Sequence, residues 1–181
     1  MTDEDCGCPE SYPSWAGKDV NLAGQCVHRM KIPTFFHMPL AYEAYIKKQA
    51  ESVMQLELVE MWPGLTLSRM GMLGGEIMRL LEDCQSPSRL VEYLTPPFTA
   101  NVALHDGDIG TITKSVQPQQ ALLIDSARTP KELYLSYLTC PRCAERKGGE
   151  KILLLRRWSQ STPANVGHSK KPISVAAKKN A

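Results

Sequence analysis

No stretch of the sequence approaches the roughly 18 consecutive apolar residues that a helix needs to cross a bilayer, so no helical membrane span is expected. The first eight residues, MTDEDCGC, are acidic and hold no apolar run, which argues against a secretory signal and for a cytoplasmic protein. A Gly-rich phosphate loop, a nucleophile elbow and a paired-histidine helix motif are all missing, and this lowers the expectation of an enzyme without removing it. A basic stripe is missing too. The formal net charge is +2, with Lys170, Lys171, Lys178 and Lys179 near one end set against Asp3, Glu4, Asp5 and Glu10 near the other. The stretch between is close to neutral, which argues against a nucleic-acid partner, because such binding rests on many phosphate contacts. No internal sequence repeat is visible.

What is present suits one globular domain: 181 residues, 43% hydrophobic and 22% charged. The composition divides the chain into an acidic leader, 1–17, a single domain, 18–158, and a basic tail, 159–181. The tail's Ser, Pro, Asn, Ala and Lys residues bury too little apolar area to offset the entropy of ordering, so disorder is expected there. Within the domain, residues 18–36 read as one or two short strands. The spacing of Tyr42, Ile46, Ala50 and Val53 predicts a principal helix over about 40–54, with Pro39 at its start. Alternation around Pro63-Gly64 predicts a hairpin over 56–68, and Asp106-Gly107 between Val- and Thr-rich segments predicts a second. EIMRLL and RLVEYL read as strands, residues 118–128 as a short helix, and KELYLSYLTC and KILLLRRW as the last two strands. The expected class is α+β, a mainly antiparallel sheet of hairpins with one principal helix and a terminal cysteine knuckle.

Six cysteines in a chain read as cytoplasmic point to metal ligands, redox groups or buried small hydrophobes rather than a disulfide framework. Cys140 and Cys143 lie in TCPRCAERKGGEK, at the end of a predicted strand and before Gly148-Gly149. Two thiolates at this spacing reach one tetrahedral ion when the backbone between them turns tightly. The stretch resembles the knuckle of a zinc ribbon over about a dozen residues, with Ala144 where such knuckles usually have glycine and with no second Cys-x-x-Cys to follow. Cys6 and Cys8 form the other close pair in the chain. If the leader folds back over the last hairpin, they complete a four-thiolate shell for Zn2+, and an iron-sulfur cluster accepts the same ligands. A redox dithiol is the competing use, with Arg142 lowering a thiol pKa. A thioredoxin-like arrangement would need a helix after the pair, and Gly148-Gly149 stops one within two turns. Cys26 and Cys84, without close partners in sequence, read as buried hydrophobes.

Among the histidines, His37 in FFHMP stands just ahead of the helix, and Glu43 follows about one turn in, so an acid/base pair is geometrically possible there. A packing role in an aromatic-rich turn explains the same residue. His105 beside Asp-Gly-Asp reads as turn chemistry rather than a metal site. The sequence thus predicts a small metal-binding accessory or interaction protein whose partner is another protein. A thiol-redox or iron-sulfur electron-transfer protein is the alternative, and an enzyme with its pocket near His37 is a second.

Overall fold

Two runs of the chain repeat one order of elements, strand, helix, strand, strand, although their sequences do not resemble each other. The computed structural model describes residues 6–160. It contains β1 (Asp19–Asn21), β2 (Cys26–Ile32), a small hairpin of β3 (Thr34–Phe35) and β4 (Met38–Pro39), α1 (Tyr42–Gln55), β5 (Thr66–Met70) and β6 (Gly75–Leu80). Then come β7 (Val91–Tyr93), β8 (Thr99–Asp106), a 3-10 turn at Ile109–Thr111, α2 (Thr113–Asp125), β9 (Arg128–Tyr137), α3 (Pro141–Ala144) and β10 (Lys151–Gln160). The first unit is β2-α1-β5-β6 and the second is β8-α2-β9-β10.

Eight of these strands form one sheet, in the order β1-β8-β10-β9-β5-β6-β2-β7, and every pairing is antiparallel. The order is symmetric about the junction of β5 and β9, where Ser68 pairs with Leu135. The expected α+β class with a mainly antiparallel sheet is borne out. A buried glutamine in each helix marks the equivalence of the units. Gln49 of α1 donates to the carbonyls of His28 at 3.0 Å and Ile77 at 3.3 Å. Gln119 of α2 donates in the same way to those of Asn101 at 2.9 Å and Leu154 at 3.5 Å. Each amide nitrogen donates to strand carbonyls under its helix; Gln49 Oε1 also accepts from Arg79 Nε, whereas Gln119 Oε1 is buried without a partner.

Strand side chains alternate between faces, and cross-strand partners share one, so Met30, Ile77, Ser68, Leu135 and Leu154 point the same way. Tyr42, Tyr45 and Ile46 of α1 pack on that face against Met30, Ile32 and Ile77. The other face carries the main core, including Val27, Leu67, Met78, Val102, Leu153 and Leu155. Trp15, Leu22, Trp62, Leu94 and Phe98 cover it. Arg79 is buried in the first unit, where its Nη1 meets Glu60 Oε1 at 2.7 Å and its Nε donates to Gln49 Oε1 at 3.3 Å.

Several local expectations are corrected. The principal helix is α1 over Tyr42–Gln55, with Pro39 in β4 rather than in the first turn. Residues 56–59 lie outside the strands, and the hairpin instead joins β5 to β6 through the turn at 71–74. Alternating Leu and Glu made a strand pattern there, but the pairing that stabilises a strand goes to residues 66–70. The second expected hairpin is replaced by a helix start, because Asp108 caps the 3-10 turn by accepting from the amide of Thr111 at 2.9 Å. Helix α2 therefore begins at Thr113 and carries Pro118 inside it, instead of starting after it. Cys26 and Cys84 are joined by a disulfide across a separation of 58 residues. Antiparallel pairing of β2 with β6 sets Val27 opposite Leu80, and the amide of Leu81 donates to the Cys26 carbonyl, so Cys84 returns to within 5.5 Å, Cα to Cα. Ser159 and Gln160 pair with Thr129 and Arg128 as the end of β10. The rest of the predicted tail, 161–181, and residues 1–5 of the leader lie outside the described residues.

Candidate metal centre

Cys140 and Cys143 sit between β9 and β10, as their position before Gly148-Gly149 predicts. Cys140 is the N-cap residue of α3, in extended conformation, and Pro141 opens the turn. The amides of Cys143 and Ala144 both donate to the Cys140 carbonyl at 3.0 Å, which closes the turn and points both sulfurs to one side. Helix α3 lasts four residues. Gly148 and Gly149 then take positive φ, and the Gly149 amide bonds the Ala144 carbonyl at 2.7 Å, so the chain reverses into β10.

The leader folds back over this hairpin. Pro9 and Pro13 are buried, Trp15 packs on the main core, and the Gly17 amide donates to the Val102 carbonyl at 2.8 Å. Lys147 Nζ donates to the Pro9 carbonyl at 2.7 Å and ties the two segments next to the cysteines. The loop before β5 supplies the floor: a Cβ on Gly64 would stand 3.2 Å from the Gly7 carbonyl oxygen and from Pro9 Cα, and its φ of +80° suits glycine. Glu60 holds that loop by accepting from the Gly64 amide at 3.1 Å.

The sulfurs of Cys6, Cys8, Cys140 and Cys143 all lie within 4.8 Å of one another, and those of Cys140 and Cys143 are 3.8 Å apart. A tetrahedron of metal-sulfur bonds near 2.3 Å has edges of about 3.8 Å, so the spacing fits an ion of that kind. Four cysteines so close together could hold a metal ion. Burial and hydrogen bonding toward Cys140 and Cys143 push the Cys8 thiol well up. Burial acts the same way on Cys140, but the amides of Cys143 and Arg142 and the thiols of Cys8 and Cys143 outweigh it and bring Cys140 down to about 7. Protons are therefore held unequally, with a thiolate favoured at Cys140, the form that binds metal.

His37 is not part of this cluster. It is exposed, and its Nδ1 donates to the Met70 carbonyl at 3.1 Å. No hydrogen bond or ion pair joins it to Glu43 among the described residues. His105 is buried, with Nδ1 2.9 Å from Ser115 Oγ of α2 and Nε2 3.1 Å from Thr111 Oγ1 of the 3-10 turn, so it lies against the helix start that replaces the expected hairpin tip. Sequence reading missed one polar group. Glu76 of β6, 7% exposed, accepts from Arg69 Nε at 3.0 Å and from the Tyr134 hydroxyl at 3.1 Å. Arg29 Nη1 is 3.8 Å away. Glu76 and Tyr134 are 58 positions apart and no spacing links them; the one local signal was an acid within the apolar run EIMRLL. No helix among the described residues is long and apolar enough to cross a membrane.

Fold and site together define a small antiparallel-sheet module whose N-terminal segment folds back and brings four cysteines together. The chain belongs to the bacterial hydrolase family, whose model matches residues 1–157. Among solved structures, the chain is similar to the EcmrR C-terminal domain, with a TM-score of 0.56 and 12% identity over 79% of this chain and 95% of that one. It is also similar to a chain of the EcmrR-DNA complex, with a TM-score of 0.54 and 12% identity over 79% of this chain and 56% of that one. At this identity the likeness is one of fold. No curated protein matches the chain.

Proposed function

We propose that Cys6, Cys8, Cys140 and Cys143 hold one structural zinc ion, and that the chain is an accessory module acting through contact with another protein. The observation that carries the metal reading is the meeting of two cysteine pairs from opposite ends of the domain within 4.8 Å. Four protein thiolates close a tetrahedral shell and leave no position open for a substrate, which is the pattern of a structural site. Such an ion neutralises sulfurs that otherwise repel, and it staples the leader to the β9–β10 hairpin. Metal analysis of protein purified without a histidine tag tests this. One zinc per chain in a colourless sample is the expected result. A brown sample containing iron would assign an iron-sulfur cluster, and a metal-free sample with a reducible Cys140–Cys143 disulfide would assign a redox pair.

Family membership and the Glu76 group support a second reading, hydrolysis. A buried carboxylate beside a tyrosine hydroxyl supplies the two groups that water activation and proton return require. Burial first, and then the Glu76 charge, push Tyr134 up to about 12, so it stays protonated as a donor at neutral pH. Ester hydrolysis that disappears in Glu76→Gln while the protein melts normally would support this reading. Activity retained in that variant would remove it.

A further inference from the structure

The β3–β4 hairpin and the turn between β5 and β6 together carry a dense group of exposed apolar side chains. Phe35, Phe36, Met38 and Leu40 are 58, 64, 71 and 52% exposed, and Met72 and Leu73 are 57 and 78% exposed. Two hydrogen bonds set the segments side by side: Thr34 Oγ1 donates to the Gly71 carbonyl at 2.7 Å, and His37 Nδ1 donates to that of Met70 at 3.1 Å. The rings of Phe35 and Phe36 meet edge to face at 4.6 Å, so the pair is held outside the core. Phe36 and His37 have φ of 47° and 65°, a left-handed backbone that is unfavourable for residues with a Cβ. The fold therefore keeps a strained tip and an apolar surface in water where a polar turn would cost less.

We propose that this patch is an isologous contact through which two copies of the chain associate. Six side chains exposed to this degree offer roughly 600–700 Å² together, close to the ~800 Å² that each partner contributes to a standard interface. Charge favours a second copy as the occupant. In a twofold contact the patch faces itself, and any charged residue near the axis would meet its like. Residues 33–42 and 70–75 contain no Asp, Glu, Lys or Arg. Phe and Met are also the residue types enriched at interface centres. The patch shares no residue with the cysteine cluster, so the inference does not rest on the metal.

Sedimentation equilibrium of the full chain over about a hundredfold range of concentration tests it. The expected result is a dimer whose dissociation constant rises at least about tenfold in Phe36→Glu and in Leu73→Glu. Both side chains are exposed, so both variants should match the wild-type melting curve taken below the dimer's dissociation constant, where association adds no stability. A chain that stays monomeric throughout, or variants that dimerise as well as wild type, would overturn the proposal. So would a monomer that pellets with phosphatidylglycerol vesicles through Phe36, since the patch would then face lipid. Zinc measured on the same samples separates the two readings: a dimer without metal sinks only the metal site, and a zinc-loaded monomer sinks only the contact.

Discussion

Changing Cys6 and Cys8 together to Ser should abolish zinc binding although Cys140 and Cys143 are intact. Removing two of four ligands leaves half the tetrahedral shell to water, and a lone Cys-x-x-Cys does not make a closed structural site. The effect on stability follows from linkage. With free zinc about a thousand times its Kd, binding to the folded state alone contributes about 4 kcal/mol. In a domain of this size that corresponds to a rise in Tm of about 8–16 °C, which the double variant should lose. Loss should be local as well. Under the proposed site, residues 6–10 are held by the metal and by the Lys147–Pro9 bond, whereas 13–17 keep buried Pro13, the packing of Trp15 and the Gly17–Val102 bond. Hydrogen exchange after chelation should thus accelerate at residues 6–10 and change little at 17–18. Metal content, Tm and exchange are read on the same preparation. Stoichiometric zinc in the double variant, or exchange at 6–10 that ignores chelator, would show that the pairs do not share a site.

Glu60→Ala should cost about 3–5 kcal/mol in chemical denaturation, because it leaves the buried Arg79 charge without its carboxylate. An unchanged midpoint would mean that Arg79 reaches water. His28 is buried, and desolvation lowers its pKa from 6.5, so the unfolded chain binds its proton first. Its contribution is then complete above about pH 6.5 and lost as pH falls toward the lower folded value, a loss that Tm measured against pH should show and that His28→Gln should reduce. Cys84→Ser opens a loop of 58 residues and should cost about 4 kcal/mol by the loop-entropy relation, read as a lower denaturation midpoint under oxidising conditions. Equal midpoints for the variant and the oxidised wild type would place the constraint elsewhere.

Local chemistry was enough to place α1, the strand ends around Cys140 and the glycine reversal after it, since helical spacing, a Pro after Cys140 and paired glycines act within a few residues. It was also enough to single out the cluster: two close cysteine pairs and the arithmetic of a four-coordinate ion pointed to Cys6, Cys8, Cys140 and Cys143, the four cysteines whose sulfurs the fold brings within 4.8 Å of one another. It failed at Asp106-Gly107, where turn residues suit a hairpin and a helix cap equally well and the side-chain bond from Asp108 decides. Nor could it find the doubled unit, whose shared feature is the carbonyls that Gln49 and Gln119 satisfy, or the Cys26–Cys84 bridge, which depends on the register of β2 against β6. Glu76, Arg69 and Tyr134 belong with these. By itself the sequence determined which atoms have the chemistry to bind a metal. Tertiary structure alone decided which distant atoms meet, because strand register and helix docking are fixed by burial summed over the whole sheet, which no short window of sequence contains.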